Sequence, residues 1–310
     1  MSSFTVHIGL DVAKLHLDAH GQNQGYRVEN DPKGHAKFIQ WLERFNAPVH
    51  VVCEATGGYE QPVVQALMAA SIPVSVVAPA RVRAFAKSMA ILAKTDKIDA
   101  MVLERFGQVA ELNTCRPQSP AQLQLSALVT FRLQILDKVD ALHNQMEHLP
   151  KGPVLASAKR LANSYQRELL KIDHAIETLM AQQPVLGSNF KRLCQVQGVG
   201  RFTALSVLAF LPEIGSLSQK QVAALAGLAP RNKDSGKFKG YRSIGGGRHK
   251  LRACLYMAAL TASRSNPVLQ VFYQRLISSG KKPKVALTAL MRKLIILLNH
   301  IVKNPDFQLA

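Results

Sequence analysis

This 310-residue sequence has no long apolar stretch and no closely spaced cysteine pair, and one half of it has very few acidic residues. Its longest apolar run, around KLIILLNHIV, contains polar residues and is shorter than the roughly 18 residues expected of a membrane span. The N-terminus has no basic segment followed by an apolar one, so we expect no secretory signal and no membrane partner. The four cysteines form no Cys-x-x-Cys pair, which disfavours a zinc site or a disulfide scaffold and favours a reducing cytoplasm.

The scarcity of acidic residues is confined to the second half of the chain. Residues 1–186 hold 19 Lys and Arg against 17 Asp and Glu, whereas residues 187–310 hold 20 against only three. The net charge of +19 therefore comes almost entirely from residues 187–310. A basic surface of this kind is typical of proteins that bind a polyanion, and nucleic acid is the default candidate.

The first 112 residues alternate strand and helix patterns. The segments FTVHIGLDV, KLHLDAH and GYRVEN predict an antiparallel meander of three strands. A helix should follow in DPKGHAKFIQWLERF, with Asp31 as its N-cap and Pro32 at its first position. Strands and helices then alternate as far as the helix that starts near TDKIDAMVLERF. The order βββαβαβα predicts an α/β layer fold of the ribonuclease-H type over residues 1–112.

The remainder of the chain is predicted to be all-α. Residues 113–186 contain two long Leu- and Gln-rich segments, which favour a helical hairpin or coiled coil used for oligomerisation. Residues 187–310 form a third, basic domain of mainly α-helical character. Its CQVQGVGRFTAL segment has a Gly-x-Gly turn between two helical stretches and resembles a helix-hairpin-helix, and Ser218 should cap a later helix.

Four acidic residues of the first domain lie at the ends of predicted strands or at the start of a predicted helix. Asp11 ends the first strand and Glu54 ends the fourth, and these strands are neighbours in a ribonuclease-H-like sheet. Asp96 and Asp99 lie three residues apart on one face of the next helix. Four such carboxylates would hold one or two Mg²⁺ ions, although Asp96 could also simply be a favourable acid at a helix start. The other acids of this region are expected to be ordinary surface residues: Asp18, Glu60 and Glu104.

A basic, glycine-rich segment at residues 229–250, APRNKDSGKFKGYRSIGGGRHK, contains an Asp–Ser pair. Ser235 is a candidate nucleophile, but a serine hydroxyl reacts poorly until a base or a metal ion activates it. Apart from Asp234, which is either a turn residue or a proton-transfer helper, the loop offers no nearby base, so the activator should come from the acidic residues of the first domain. Ser243 is the rival nucleophile. The residues expected to neutralise DNA phosphates are Lys233, Lys237, Lys239, Arg242, Arg248, Lys250 and Arg252.

These motifs together resemble one family along nearly the whole chain. The segments IGLDVAK, CEATGGY, KTDKIDA, GVGRFTA, AALAGLAPRNKDSGKFKG and GGGRHKLRACLYMAAL are similar to the DEDD insertion-sequence transposases, which include Piv-type invertases and bridge-RNA-guided recombinases. The resemblance implies a RuvC-like domain that binds Mg²⁺ through Asp11, Glu54, Asp96 and Asp99, and a transposase domain in which Ser235 attacks DNA.

The resemblance also implies partners and a reaction course. It implies a phosphoserine–DNA intermediate, strand exchange through a Holliday-junction-like stage, and a noncoding guide RNA that pairs with double-stranded target and donor DNA. It further implies a cytoplasmic, nucleoid-associated homo-oligomer, a dimer or tetramer, in which the acids of one protomer complete the site around the serine of another.

Other functions remain open from the residues alone. A metal-dependent Holliday-junction-type nuclease would use the same acids with water as the nucleophile. A nucleic-acid packaging protein would use only the basic half. A sugar-kinase or actin-like ATPase shares the early strand–Asp pattern, but the second phosphate-binding repeat that this class requires is missing from the sequence.

Overall fold

The chain divides into two compact units, Met1–Pro117 and Gln118–Ala310. The computed structural model describes residues 5–91, 95–232, 240 and 242–307. Within these ranges the first unit combines strands with helices, and the regular elements of the second unit are all helices. The finer division into three domains, with boundaries near residues 112 and 186, stays a prediction.

The first unit is built on a five-stranded mixed sheet. Its strands are β1 (Val6–Val12), β2 (His16–Gly21), β3 (Gln24–Glu29), β4 (Val49–Glu54) and β5 (Val74–Val77), in the order β3-β2-β1-β4-β5. The pairs β1–β2 and β2–β3 are antiparallel, and β1–β4 and β4–β5 are parallel. The predicted meander and the predicted contact between the first and fourth strands are both confirmed.

Four helices accompany this sheet: α1 (Pro32–Leu42), α2 (Gln61–Ala69), α3 (Pro79–Ser88) and α4 (Asp96–Val109). A 3₁₀ turn, Glu43–Phe45, follows α1. The predicted start of α1 is confirmed, because Asp31 accepts a hydrogen bond of 2.7 Å from the backbone N–H of Gly34 and Pro32 takes the first helical position. Burial of Phe38 and Trp41 on the same helix fixes α1 against the sheet, since each large apolar side chain contributes roughly 1.5–3 kcal/mol.

The second unit is made of eight helices within the described ranges. They are α5 (Pro120–Met146), α6 (Pro153–Gln182), α7 (Pro184–Cys194), α8 (Arg201–Phe210), α9 (Gln219–Leu225), α10 (His249–Ser265), α11 (Pro267–Ser278) and α12 (Pro283–Lys303). One large apolar core joins residues from α5 to α12. The predicted cap of α9 is confirmed: Ser218 and Gln221 form a reciprocal capping box.

The two long helices predicted in the middle of the chain are present and pack against each other. They are 27 and 30 residues long, and their shared interface buries Leu125 and Val129 of α5 and Ile176 of α6. A partly buried ion pair of 2.7 Å between Arg132 and Asp173 joins them. Whether these helices supercoil as a coiled coil stays a prediction.

The Gly-x-Gly turn predicted between two helices joins α7 to α8. Gly198 has a φ of 96°, and a Cβ at this position would lie 2.5 Å from the Cβ of Ala262 on α10. Glycine is therefore required both for the backbone conformation and for the close approach of α10. A role of this turn in binding phosphate stays a prediction.

Helix α12 corrects one expectation from the sequence. We expected no segment long enough to cross a membrane, but among the described residues Pro283–Lys303 is long and apolar enough by length and composition, with a mean hydropathy of 1.7. Half of that apolar window is buried inside the unit. Leu290, Leu294 and Leu298 point into the core, so α12 serves as the central helix of this unit.

Candidate active site

The candidate site lies on the face of the sheet that α4 covers. Side chains alternate along β1, and Ile8 and Leu10 enter the core on the opposite face. Gly9 therefore faces α4, and a Cβ there would lie 1.9 Å from the carbonyl oxygen of Ala100. Because glycine has no side chain, α4 rests directly on β1. Asp11, two residues further along, emerges on the same face near the start of the helix.

Asp11 and Glu54 are neighbours across two parallel strands. The register pairs Leu10 with Cys53, so Asp11 and Glu54 follow side by side at the carboxyl ends of β1 and β4. Both side chains are partly buried. This arrangement is the one expected from the sequence, since carboxyl ends of parallel strands meet at one edge of a sheet.

The other two predicted acids lie in the first turn of α4. Thr95 caps the helix by accepting a hydrogen bond of 3.3 Å from the backbone N–H of Ile98. Asp96 and Asp99 follow directly, where the positive end of the helix dipole favours carboxylates. The helix start thus accounts for both residues locally, and it also brings them to the edge of the sheet where Asp11 lies.

Electrostatic interaction joins the four acids. Burial, together with the charges of Asp99, Asp96, Asp18 and Glu54, raises the pKa of Asp11 to about 6. A carboxyl group with this pKa is held in an environment that disfavours its negative charge. The other three predicted site acids therefore all lie within electrostatic range of Asp11.

The donor set fits a hard divalent cation in its chemistry. Mg²⁺ prefers carboxylate oxygens, and a bound dication would offset both the burial of the Asp11 charge and the repulsion from its neighbours, which together raise the pKa of Asp11. However, nowhere in the part of the chain that the structure describes do three or more His, Cys, Asp or Glu side chains come together as a group that could hold a metal ion. Among the described residues, the acids are thus close enough to affect the pKa of Asp11, but their side chains are not grouped closely enough to coordinate a metal ion.

The prediction that Asp18, Glu60 and Glu104 are ordinary surface acids is wrong. Their relative exposures are only 5%, 5% and 6%. Asp18 lies on β2 directly opposite Asp11. Burial raises the pKa of Asp18, and the nearby Arg27 opposes this shift. Asp18 is therefore a fifth carboxylate beside the predicted four.

Glu60 and Glu104 are buried because each satisfies several hydrogen-bond donors. Glu60 accepts bonds from the backbone N–H groups of Thr56 and Gly58, at 3.0 and 2.9 Å, and so fixes the loop that follows Glu54. Burial alone would raise the pKa of Glu60, but these hydrogen bonds lower it. Glu104 contacts the ring of His20 and accepts a bond of 3.0 Å from the backbone N–H of Gln22.

Arg27 was not singled out from the sequence. It lies on the edge strand β3, opposite Asp18, and its side chain is about half exposed. One guanidinium nitrogen, Nη1, lies 3.7 Å from Asp18 Oδ1, and the other, Nη2, lies 3.9 Å from Asp96 Oδ2. Alternation along β3 would have placed Arg27 on the same face as the acids once the register was known.

The part of the basic loop that contains the candidate nucleophile falls outside the described residues. This applies to Ser235, to the neighbouring Asp234 and to three of the predicted phosphate contacts: Lys233, Lys237 and Lys239. The segments on either side meet, because Arg231 and Ser243 form an antiparallel bridge through backbone hydrogen bonds of 2.8 and 3.2 Å. Ser243, which forms part of this bridge, and the adjacent Arg242 are both exposed.

The remaining predicted phosphate contacts make protein contacts at the start of α10. Arg248 binds both carboxylate oxygens of Glu213, at 2.7 and 2.6 Å, and donates to the carbonyl of Phe210. Arg252 donates to the carbonyl of Gly246 at 2.7 Å. The ammonium of Lys250 lies 5.7 Å from the ring centre of Phe210. These contacts hold the end of the basic loop against the rest of the second unit. Direct binding of DNA by these three residues stays a prediction.

Two family models match most of this chain. A transposase model of the DEDD, IS110 type matches residues 8–151, and a model described as the transposase IS116/IS110/IS902 family matches residues 190–274. The chain therefore belongs to this family of insertion-sequence transposases. The first match includes the four predicted site acids, and the second includes the position of Ser235.

Individual relatives agree with this assignment. The chain is 29% identical over 309 residues to the pilin gene-inverting proteins of Moraxella lacunata and of Moraxella bovis, and the alignment covers 96% of this chain and 96% of each relative. A 42 kDa protein of insertion element IS900 from Mycobacterium paratuberculosis is 36% identical over 95 residues, which is 28% of this chain and 24% of that protein.

Proposed function

We propose that this protein is an RNA-guided DNA transposase that cleaves and exchanges strands of an insertion sequence through a covalent serine–DNA intermediate. The observation that carries the proposal is the convergence of Glu54, Asp96 and Asp99 on Asp11 at the α4 face of the sheet, where their charges act on Asp11. Family membership supports transposition as the overall reaction. The sheet order and the position of the acids support a RuvC-like first unit.

The four acids would hold one or two Mg²⁺ ions. When bound, such an ion supplies a positive charge that stabilises the oxygens entering and leaving the phosphorus. The chain's own contribution is to hold these carboxylates close together despite their mutual repulsion. The packing of α4 on Gly9 and the Thr95 cap provide this, because they fix the first turn of α4 beside the end of β1.

Ser235 would be the nucleophile. Its Oγ forms a bond to a DNA phosphorus, the bond from that phosphorus to one deoxyribose oxygen breaks, and the serine proton ends on the departing oxygen. The loop residues Lys233, Lys237 and Lys239 would neutralise the flanking phosphates, together with Arg242. Since residues 187–310 contain only three acids, the carboxylates that assist the serine would come from the first unit, of the same protomer or of another.

The partners follow from the same proposal. Double-stranded target and donor DNA would be the substrates, a noncoding guide RNA would select them by base pairing, and a dimer or tetramer would form the composite sites. The α5–α6 pair would mediate oligomerisation as a coiled coil. We place the reaction in the cytoplasm, at the nucleoid. The Moraxella relatives, which by their name invert a pilin gene, support strand exchange as the outcome.

A covalent adduct is the direct test. The wild-type protein is incubated with Mg²⁺, RNA transcribed from the noncoding DNA that flanks the gene, and end-labelled target and donor duplexes, and the products are separated on a denaturing gel. We expect a protein–DNA adduct with wild type and none with Ser235→Ala. The matched control is Ser243→Ala, which removes the hydroxyl of the rival serine and should leave the adduct intact.

Two other outcomes would redirect the proposal. Cleavage by wild type without any adduct would favour a Holliday-junction-type nuclease in which the carboxylate site activates water. The acids lie in a different unit from the loop, and this supports the second candidate. An adduct that persists in Ser235→Ala and disappears in Ser243→Ala would move the nucleophile to Ser243.

A further inference from the structure

Three charged residues form a row across three neighbouring strands of the first unit. The register pairs Asp11 on β1 with Asp18 on β2, and Asp18 with Arg27 on β3. Directly paired residues of antiparallel strands project to the same face of a sheet. Asp11, Asp18 and Arg27 therefore line the face on which α4 lies, with Arg27 at the outer edge.

Arg27 links this row to the start of α4. Its guanidinium lies between Asp18 Oδ1, at 3.7 Å, and Asp96 Oδ2, at 3.9 Å. Asp18 is buried, whereas the side chain of Asp96 is more than half exposed. The contact with Asp18 is thus fixed by the sheet, and the contact with Asp96 joins the sheet to a solvent-exposed carboxylate in the first turn of the helix.

Both contacts are longer than a hydrogen bond, and they differ in how far water reaches the carboxylate. An exposed ion pair at almost 4 Å is weak, because water screens it and no short hydrogen bond holds it. The pair with the buried Asp18 keeps Arg27 near the site even when the contact with Asp96 breaks. Asp96 can therefore leave Arg27 for a stronger cation without disturbing the sheet.

We infer that Arg27 is a positioning residue that holds Asp96 in the cation-free protein and competes with a divalent cation for it. This inference rests on the proposed function, in which Asp96 is a cation ligand. A positive charge next to the site lowers its affinity for cations through repulsion, and it also occupies one of the ligands. Arg27 would thus lower the affinity of the carboxylate site for a divalent cation.

The test measures cation binding rather than activity. Full-length wild type and Arg27→Gln are titrated with Mn²⁺ by calorimetry, with circular dichroism to verify the fold. We expect Arg27→Gln to bind Mn²⁺ roughly three- to tenfold more tightly, as loss of one nearby, solvent-screened positive charge predicts. The matched control is Arg44→Gln, which removes an exposed positive charge from the 3₁₀ turn of the same unit and should leave the affinity unchanged.

A second variant, Arg27→Lys, tests the inference even if Arg27→Gln does not fold. Arg27→Lys keeps the charge, but a single ammonium cannot bridge two carboxylates as a guanidinium does. It should bind Mn²⁺ more tightly than wild type and more weakly than Arg27→Gln. Equal or weaker binding in both Arg27 variants would overturn the inference.

Failure of the inference can be told apart from failure of the proposed function. If wild type binds Mn²⁺, Asp11→Asn abolishes that binding and the Arg27 variants are unchanged, the carboxylate site stands and only the role of Arg27 is rejected. If wild type binds no Mn²⁺ at all, the proposed metal site is rejected and the role of Arg27 falls with it.

Discussion

Replacing Asp11 by asparagine should stabilise the cation-free protein at neutral pH, although it removes a proposed active-site residue. Asp11 has a pKa of about 6 in the folded protein, raised from 3.8 by burial and by the surrounding carboxylates. Above pH 6 the folded protein therefore carries a charge that its own environment disfavours. Asparagine has a similar shape without the charge, so the repulsion is lost in the variant.

The magnitude follows from the shift in pKa. A difference between about 6 and 3.8 corresponds to about 3 kcal/mol at 1.36 kcal/mol per unit. Asp11 is partly in contact with solvent, and screening reduces the effect to roughly 1–2 kcal/mol. At pH 7–8 we therefore expect the free energy of unfolding of Asp11→Asn to exceed that of wild type by roughly 1–2 kcal/mol.

The dependence on pH has a definite sign. Between pH 4 and pH 6 the folded protein keeps the Asp11 proton while the unfolded chain has lost it, so the stability contributed by this residue falls as the pH rises. Below pH 4 the carboxyl group is protonated in both states, and the variant should match wild type. The gain in stability should thus appear between pH 4 and pH 6 and stay constant above.

Trp41 provides a probe of the unit that contains Asp11. It is the only tryptophan in the chain, and it is buried on α1 against Tyr26 and Phe45. Urea unfolding followed by its fluorescence, in EDTA at pH 4 and pH 8, measures the stability of the first unit. Glu43→Gln, which removes an exposed acid from the same unit, is the control and should change the stability little at either pH.

Two results would refute this reasoning. A variant that is no more stable than wild type at pH 8 would mean that Asp11 is not under electrostatic strain. A gain of equal size at pH 4 and pH 8 would mean that the effect does not come from charge. Added Mg²⁺ provides a further check, since it should stabilise wild type more than Asp11→Asn.

Two further predictions concern packing. Gly9→Ala would bring a methyl group to 1.9 Å from the carbonyl oxygen of Ala100, so α4 must move away from β1. We expect the variant to be less stable by about 1–3 kcal/mol, as measured by urea unfolding, and to bind Mn²⁺ more weakly. Arg132→Ala removes the ion pair with Asp173 and the stacking on Phe202. We expect it to lower the stability of the second unit by about 1–3 kcal/mol, measured by thermal unfolding followed by circular dichroism. The control is Lys138→Ala on the exposed surface of α5, which should leave the stability unchanged.

The sequence was informative where a short segment decides the structure by itself. Asp31 and Pro32 predict the start of α1 because the cap and the fixed φ of proline act within one turn. Asp11 and Glu54 could be placed because the order of strand and helix patterns restricts which strands are neighbours. These signals need no knowledge of distant contacts.

The buried acids could not be found in this way, because their burial depends on contacts between distant segments. Asp18 is covered only because α4, almost 80 residues later, packs on β1 and β2. Glu104 is buried because it meets His20 across that same interface. In the sequence alone, each of them is an acid in a moderately polar segment, which is typical of a surface residue.

The charges of the two units differ in a way that fits the proposed reaction. In the first unit, burial and the neighbouring carboxylates raise the pKa of Asp11 to about 6, so that edge of the sheet favours the binding of cations. Residues 187–310 carry 20 basic residues against three acids, so that part of the chain favours the binding of anions. A DNA phosphate accompanied by divalent cations satisfies both requirements, because the cations neutralise the carboxylates and the phosphate neutralises the basic residues. The proposed reaction, in which the carboxylates and Ser235 act on one phosphate, uses both of these preferences.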